Sequence, residues 1–337
     1  MARKIQRSLL DNAKVNKKDE FYTQLKDIES EIKHYKNHFN GKVVFCNCDD
    51  PRVSNFFKYF VVNFKELGLK KLIAACYKRG ESGFYSVVNG ENALDLGQIE
   101  ILPFEGDGDF RGKESVELLK QSDIVITNPP FSLFREFVAQ LVQFDKKFLI
   151  IGNINAITYK EIFKLIKEDR VWLGINLVRG ISGFIVPNEY ELYGTEARID
   201  ELGNRVVSPN NCLWLTNLDT TLRHKDINLT KSYYGNEVNY PSYDNFDGIN
   251  VDKTQDIPKD YDGFIGVPLT FLHKYNPEQF EIIKFRKGND EKDLSINGKC
   301  PYFRILIRNK RLHSQGATLE VLPKIESHSH NEIQIAR

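Results

Sequence analysis

Asp123-Ile-Val-Ile-Thr-Asn128-Pro129-Pro130-Phe131-Ser132 sets a short apolar run against a rigid polar turn. The run reads as a buried strand. Two consecutive prolines cannot continue a sheet ladder, so the strand stops at the turn. Asn128, ahead of Pro129, is pushed towards an extended backbone that presents its amide at the strand's carboxyl end. Behind the turn, Phe131 to Phe144 carries an amphipathic helical pattern. Open α/β sheets bind ligands at the carboxyl ends of their strands, so the turn reads as an active-site loop.

The chemistry that fits the turn is methyl transfer to an exocyclic amine. Adenine N6 is a poor nucleophile, because its lone pair is delocalised into the ring. An enzyme must accept both amino hydrogens and let the nitrogen become more tetrahedral. The Asn128 side-chain oxygen and the Pro129 carbonyl are candidate acceptors, with Pro130 completing the turn. Phe131 is placed to stack on a base swung out of a duplex. Preorganised dipoles of this kind stabilise developing charge without a general base. The competing reading is a tight strand-to-helix turn and nothing more.

Working outward, Lys42 to Cys48 is expected to be the first buried strand, ending at Asp49-Asp50-Pro51. Val53, Phe56, Phe57, Phe60 and Phe64 then mark a helix, and a strand that ends in carboxylates before a helix is a cofactor-site geometry. Lys70 to Tyr77 and Gln98 to Phe104 read as further strands, with a hairpin candidate at Phe84 to Leu96 turning on Asn89-Gly90. An acidic loop, Gly106-Asp107-Gly108-Asp109-Phe110-Arg111, precedes a helix over Lys113 to Gln121. After the central turn come a strand at Lys147 to Gly152, a helix at Thr158 to Glu168 and a strand at Val171 to Gly174. Strands alternating with helices predict an α/β fold with a doubly wound, mainly parallel sheet. Beyond Gly174 the pattern turns to β-like pieces: Gly183 to Pro187, Glu196 to Val207 around Gly203-Asn204, and Cys212 to Thr216. Tyr233 to Asp262 shows no helical or strand period and reads as a base-reading or groove-lining loop region. An earlier helix is expected from Leu25 to a stop at Asn40-Gly41.

With 337 residues, 41% hydrophobic and 28% charged, the chain has room for one large domain and an elaboration. No apolar run reaches membrane-spanning length, and the basic N-terminus lacks the apolar segment of a signal peptide, so a cytoplasmic location and no membrane contact are expected. The five cysteines are odd in number and several lie in apolar runs, which argues against a disulfide framework. Cys46-x-Cys48 and the His34/His38 pair each lack further ligands nearby, so no metal site is expected. A net charge of +1 leaves distribution to decide on nucleic acid. Arg3, Lys4, Arg7, Lys14, Lys17 and Lys18 form a basic arm suited to DNA phosphates. A second basic cluster runs from Lys284 to Arg311, where phosphate contact and a solvated face are equally good readings.

The Asn128-Pro129-Pro130-Phe131 turn resembles the signature of amino methyltransferases. The longer passages Asp19 to Gln24, Cys46 to Phe60, Gly106 to Phe134, Tyr193 to Leu218 and Gly266 to Arg311 resemble, more specifically, the EcoRI-type adenine-specific DNA methyltransferases. The resemblance implies a Rossmann-like enzyme that uses S-adenosyl-L-methionine and acts on double-stranded DNA as a monomer. Target recognition would lie in the C-terminal half. Carried over by position, Tyr22 and Thr23 would help hold the methionine end of the cofactor. Asp50, followed by Pro51, would sit at its amine, and Asp109 with Phe110 would contact its adenine. One departure is visible: Cys46 to Phe60 contains no glycine where the class usually has a glycine-rich turn, and Tyr77-Lys78-Arg79 stands where an acidic residue is expected. The implied organisation is a flexible basic arm over residues 1–18 and a catalytic core over 19–186. Recognition elements with sheet-completing strands would occupy 187–311, and a weakly structured tail 312–337. Enzymes that methylate an RNA amine or a protein glutamine share the turn, and a DNA-binding module with an inactive cofactor pocket is the non-enzymatic alternative.

Overall fold

The computed structural model describes residues 22–90, 99–176, 181–186, 197–208, 211–286, 294–301 and 303–312. The chain divides into two compact units. The first runs up to Lys225 and takes back Thr270–Tyr275; the second comprises Asp226–Leu269 and the chain from Asn276 on.

The first unit is a mixed α/β structure. Its elements in order are β1 (Tyr22–Thr23), α1 (Leu25–Ile32), β2 (Val43–Cys46), α2 (Asn55–Val62), β3 (Lys71–Cys76), β4 (Phe84–Val88), β5 (Leu102–Pro103), α3 (Lys113–Gln121), β6 (Ile124–Thr127), α4 (Phe134–Gln143), β7 (Lys147–Asn153), α5 (Lys160–Lys167), β8 (Trp172–Leu173), β9 (Phe184–Val186), β10 (Ala197–Ile199), β11 (Arg205–Val207) and β12 (Cys212–Thr216). An eight-stranded sheet has the order β5-β4-β3-β2-β6-β7-β12-β8. Its centre is parallel, with Val44 opposite both Leu72 of β3 and Ile124 of β6, and Ile124 opposite Lys147 of β7. Its flanks are antiparallel, so the expectation of a mainly parallel sheet describes the middle four strands only. Parallel strands buried on both faces read as continuous apolar runs, and β2 and β6 have every residue buried.

From β2 the chain passes to β3 on one side and later to β6 on the other. The strand order therefore reverses between β2 and β6, the position where such sheets open a crevice at their carboxyl edge. Phe56, Phe57 and Phe60 of α2 lie in the main core, and Phe56 meets Trp214 of β12 edge-on at 6.0 Å. Helix α4 is seated by a glycine: a Cβ on Gly152 of β7 would fall 2.6 Å from the Phe134 ring, so the helix after the Asn128-to-Phe131 turn approaches the sheet only because that position is bare. A four-stranded antiparallel sheet, β1-β9-β11-β10, completes the unit and includes the hairpin expected around Gly203.

The helix expected to reach Asn40 ends at Ile32, and a 3₁₀ turn, Lys36–His38, leads to Gly41 at φ +72°. His38 meets the Asp219 backbone carbonyl at 2.7 Å.

The second unit holds a five-stranded sheet built from β13 (Ser242–Tyr243), β14 (Phe246–Asn250), β15 (Ile265–Val267), β16 (Phe280–Arg286) and β17 (Arg304–Asn309), in the order β13-β14-β15-β17-β16. The stretch from Tyr233 to Asp262, expected to lack strand structure, thus contains two strands. Their period is hidden by close approaches. A Cβ on Gly248 would sit 2.8 Å from the Phe264 carbonyl oxygen, and buried Asn250 accepts from Arg304 Nε at 2.8 Å and from the Tyr243 hydroxyl at 3.0 Å. In the second basic cluster, Arg304, Arg308 and Arg311 are engaged by Asp252, Glu281 and Asp226. The phosphate-contact reading of that cluster loses these three. All five cysteines are free thiols, and no described helix is long and apolar enough to cross a membrane.

Candidate active site

Strand β6 delivers Thr127, fully buried, and then the turn. Pro130 has φ −61° and ψ 121°, and its carbonyl accepts from Leu133 N–H at 3.0 Å, which starts the 3₁₀ segment Phe131–Leu133 ahead of α4. Pro129 is buried, while Asn128 and Phe131 are half-buried. The Phe131 ring meets Phe184 of β9 edge-on at 6.3 Å between centroids, leaving it partly exposed.

Strand β2 delivers Asn47-Cys48-Asp49-Asp50 to the same edge. The Cys48 N–H donates to Thr127 Oγ1 at 3.2 Å, Thr127 Oγ1 donates to Asp49 Oδ2 at 2.5 Å, and Ser54 Oγ donates to Asp49 Oδ1 at 2.6 Å. Ser54 also caps α2 by accepting from the Phe56 and Phe57 N–H groups. The next residue, Asn55, donates its side-chain N–H to the Thr23 carbonyl at 2.8 Å, which brings β1 to the N-terminus of α2. The cofactor-binding candidates Tyr22, Thr23, Asp50 and Pro51 therefore cluster beside the strand that carries Asn128.

Asp109 and Phe110 join this cluster from the loop after β5. The loop is pinned under the end of β3: Lys78 N–H donates to the Asp107 carbonyl at 2.8 Å, and a Cβ on Gly108, at φ +78°, would lie 2.5 Å from the Cys76 carbonyl oxygen. Burial first, then the charges of Asp49 and of Asp109, push the Cys48 thiol well up, which ties the Asp109 loop electrostatically to the β2 loop. Phe110 is buried, with its ring edge-on to Phe137 at 5.1 Å and its carbonyl accepting from Gln140 Nε2 at 3.0 Å, so it anchors the loop to α4.

The carboxylates differ in state. Burial opposes ionisation of Asp50, but bidentate hydrogen bonds from Arg52, its backbone N–H, and the nearby Lys78 hold the carboxyl below the ordinary range. Hydrogen bonds from Arg111 do the same for Asp109, with Nε at 2.9 Å and the terminal nitrogen at 2.7 Å. Asp49 goes the other way: burial pushes it up to about 6, against the two hydroxyl donors.

Sequence reading missed Asn47, Ser54 and Thr127, and placed Asp49 only among the carboxylates that end β2. Asn47 is 2% exposed, and neither its side-chain oxygen nor its nitrogen has a hydrogen-bond partner among the described residues; Thr23 Oγ1 is in the same condition. Buried polar groups are nearly always paired, so Asn47 and Thr23 carry unused hydrogen-bonding capacity at the β2 edge. A polar residue between two cysteines at the end of an apolar run was the available signal for Asn47. The DNA-binding candidates Arg3, Lys4, Arg7, Lys14, Lys17 and Lys18 lie outside the described residues.

The model of the family described as adenine-specific methyltransferase EcoRI matches residues 9–310. The type II methyltransferase M.EcoRI of Escherichia coli is 66% identical over 324 residues, covering 93% of this chain and 99% of that protein. M.MpnI of Mycoplasma pneumoniae is 41% identical over 319 residues, covering 89% of this chain and 98% of that protein. M.MgeORF184P of Mycoplasma genitalium is 36% identical over 320 residues, covering 90% and 99%. No solved structure matches the chain. With the family signature carried on the β6 turn and the match running through nearly the whole sequence, the chain belongs to the EcoRI-type adenine-specific methyltransferases.

Proposed function

We propose that the chain transfers a methyl group from S-adenosyl-L-methionine to N6 of an adenine swung out of duplex DNA, as the modifying enzyme of a type II restriction-modification system. The observation that carries this reading is the meeting, between β2 and β6, of the Asn128-Pro129-Pro130-Phe131 turn with the loop bearing Asn47, Asp49 and Asp50. The parallel centre of the sheet and its reversal of strand order support a doubly wound, Rossmann-like core. The 66% identity to M.EcoRI supports a GAATTC-type target.

The residues fit the cofactor. The orphaned Asn47 amide offers one donor end and one acceptor end, Thr23 offers a hydroxyl, Asp50 stays ionised to face the cofactor's cationic amine, and Asp109 stays ionised to accept from its adenine. When bound, S-adenosylmethionine supplies a methyl group activated by a sulfonium. Asn128 Oδ1 and the Pro129 carbonyl accept the amino hydrogens of the adenine, and Phe131 stacks on its ring. Phe110 keeps the Asp109 loop in place.

The second unit is assigned to target recognition. Within it lies a polar cleft of about 700 Å³, lined by Lys231, Asn236, Asn239, Asn250 and Asp252 among others, and amides of this kind match base edges. The basic arm over residues 1–18 is assigned to phosphates by its charge alone, and the enzyme is read as a cytoplasmic monomer.

The test is to incubate the protein with methyl-labelled S-adenosylmethionine and duplexes with or without GAATTC, and to map the label. The expected product is N6-methyladenine in the GAATTC duplex. Label on RNA or on a protein glutamine, or cofactor binding without turnover on any DNA, overturns the reading.

A further inference from the structure

The carboxylate that joins the two sides of the crevice is Asp49. Its Oδ2 accepts from Thr127, the residue just before Asn128, and its Oδ1 accepts from Ser54, the cap of α2. Both hydroxyls are buried, and Thr127 Oγ1 is held from the other side by the Cys48 N–H. The Asp49 N–H donates to the Ala75 carbonyl at 2.9 Å, which fixes its backbone to β3. One carboxylate thus links the end of β6, the start of α2 and the loop after β2. Through Asn55, which follows Ser54, the same chain of bonds reaches Thr23.

We infer that Asp49 and Thr127 are positioning residues that set the distance between the cofactor loop and the catalytic turn. This deepens the function proposed above and rests on it. Methyl transfer needs donor and acceptor atoms in line. The donor is to be held by residues adjoining Asp49 in sequence, and the acceptor by residues adjoining Thr127. A hydrogen bond between the two fixes the gap from the protein side. Strands β2 and β6 pair only at Val44 and Phe45, with Ile124 and Val125, so the sheet ladder has ended before either loop begins. Beyond that point, the Cys48–Thr127 and Thr127–Asp49 bonds tie the two segments directly. Displacement of about 1 Å at reacting atoms costs on the order of 100-fold in rate, so the loss of one such tie is visible in the chemistry while the binding contacts survive.

The experiment compares Thr127→Val, Thr127→Ser, Asp49→Asn and the Asp49→Asn/Thr127→Val double variant in single-turnover methylation of a GAATTC duplex, with S-adenosylmethionine and DNA affinities measured separately. Thr127→Val keeps the shape of the strand and removes the hydroxyl. It should lower the single-turnover rate by roughly 10- to 100-fold with cofactor and DNA affinity held within about twofold. Thr127→Ser restores the hydroxyl and should recover most of the rate. The double variant should lose less than the product of the two single losses, because both substitutions disrupt the shared Thr127–Asp49 bond. An unchanged rate in Thr127→Val, an equal loss in Thr127→Ser, or multiplying losses in the double variant overturns the inference. Should Asp49→Asn fail to fold, the Thr127 pair still decides. A wild-type protein that methylates adenine and is inactivated by Asn128→Ala, yet is indifferent to Thr127→Val, sinks this inference and leaves the proposed function standing.

Discussion

Two buried acidic residues of helix α1 and the two arginine-paired carboxylates of the crevice are treated oppositely by the protein. On α1, Asp27 and Glu31 are buried, and burial raises both above the ordinary carboxyl range despite the hydrogen bonds they accept. Glu31 accepts from the Ile175 and Asn176 N–H groups at 2.8 and 2.7 Å and from the Tyr35 hydroxyl, and Asp27 accepts from the Ser182 N–H and hydroxyl. Their partners are backbone amides that would otherwise be stranded. In the crevice, Asp50 and Asp109 each take an arginine two residues ahead, in the same Asp-x-Arg arrangement, and both are held low. Their partners are half-exposed arginines, with Arg52 lying over the Phe84 ring and Arg111 also paired with Glu136. A carboxylate that closes loops belongs to the fold, and one kept ionised at a sheet's carboxyl edge is a candidate to face a ligand.

The largest effect that can break this contrast is on the α1 side. Glu31→Ala leaves the Ile175 and Asn176 N–H groups buried without their acceptor, which costs about 3 kcal/mol. Chemical denaturation should show that loss, while S-adenosylmethionine affinity at a temperature where the variant is folded stays near wild type. A variant as stable as wild type would mean the loop finds other partners.

Next in size, Asp50→Asn and Asp109→Asn keep the side-chain volume but remove the charge. Each should weaken S-adenosylmethionine binding by roughly tenfold, about 1.4 kcal/mol, with a smaller loss of stability at neutral pH. Calorimetry that finds full affinity in both variants places the cofactor elsewhere.

The smallest effect is on the pH dependence of stability. Groups raised on folding, Asp27 and Glu31, contribute stability that is present below their ordinary values of 3.8 and 4.5 and is lost as pH rises through their folded values. Groups lowered on folding, Asp50 and Asp109, contribute stability present above 3.8 and lost as pH falls through their folded values. The Asp50→Asn/Asp109→Asn double variant should therefore lose less stability than wild type on acidification below pH 3.8, and a melting series over that range reads the difference. A steeper acid loss in the double variant would reverse the assignment.

Much of the first unit was legible because its elements have strong local causes. β6 is apolar on both faces and ends at a double proline, and α3 begins and ends within the expected span. The end of β2 was placed near its carboxylates, but Asp49 and Asp50 are adjacent and alike in sequence, and only their partners separate the tie to Thr127 and Ser54 from the charge paired with Arg52. Asn47 was unreadable for a related reason: an unsatisfied amide is a three-dimensional fact. Strands β13 and β14 were missed because their glycine and asparagine positions serve close backbone approach and a network with Arg304, which erases the alternation that sequence reading depends on. The arginines near the C-terminal end looked free in sequence because their acidic partners lie 27 to 85 residues away.

The measurement that bears most directly on the central claim is single-turnover methylation by Asn128→Ala on a GAATTC duplex, beside its cofactor and DNA affinities. The turn is held as the acceptor of the adenine amino hydrogens, so the variant should lose on the order of 100- to 1,000-fold in rate while binding both partners nearly as well as wild type. Methylation at a wild-type rate would contradict the account, because the crevice between β2 and β6 would then not be where the adenine reacts.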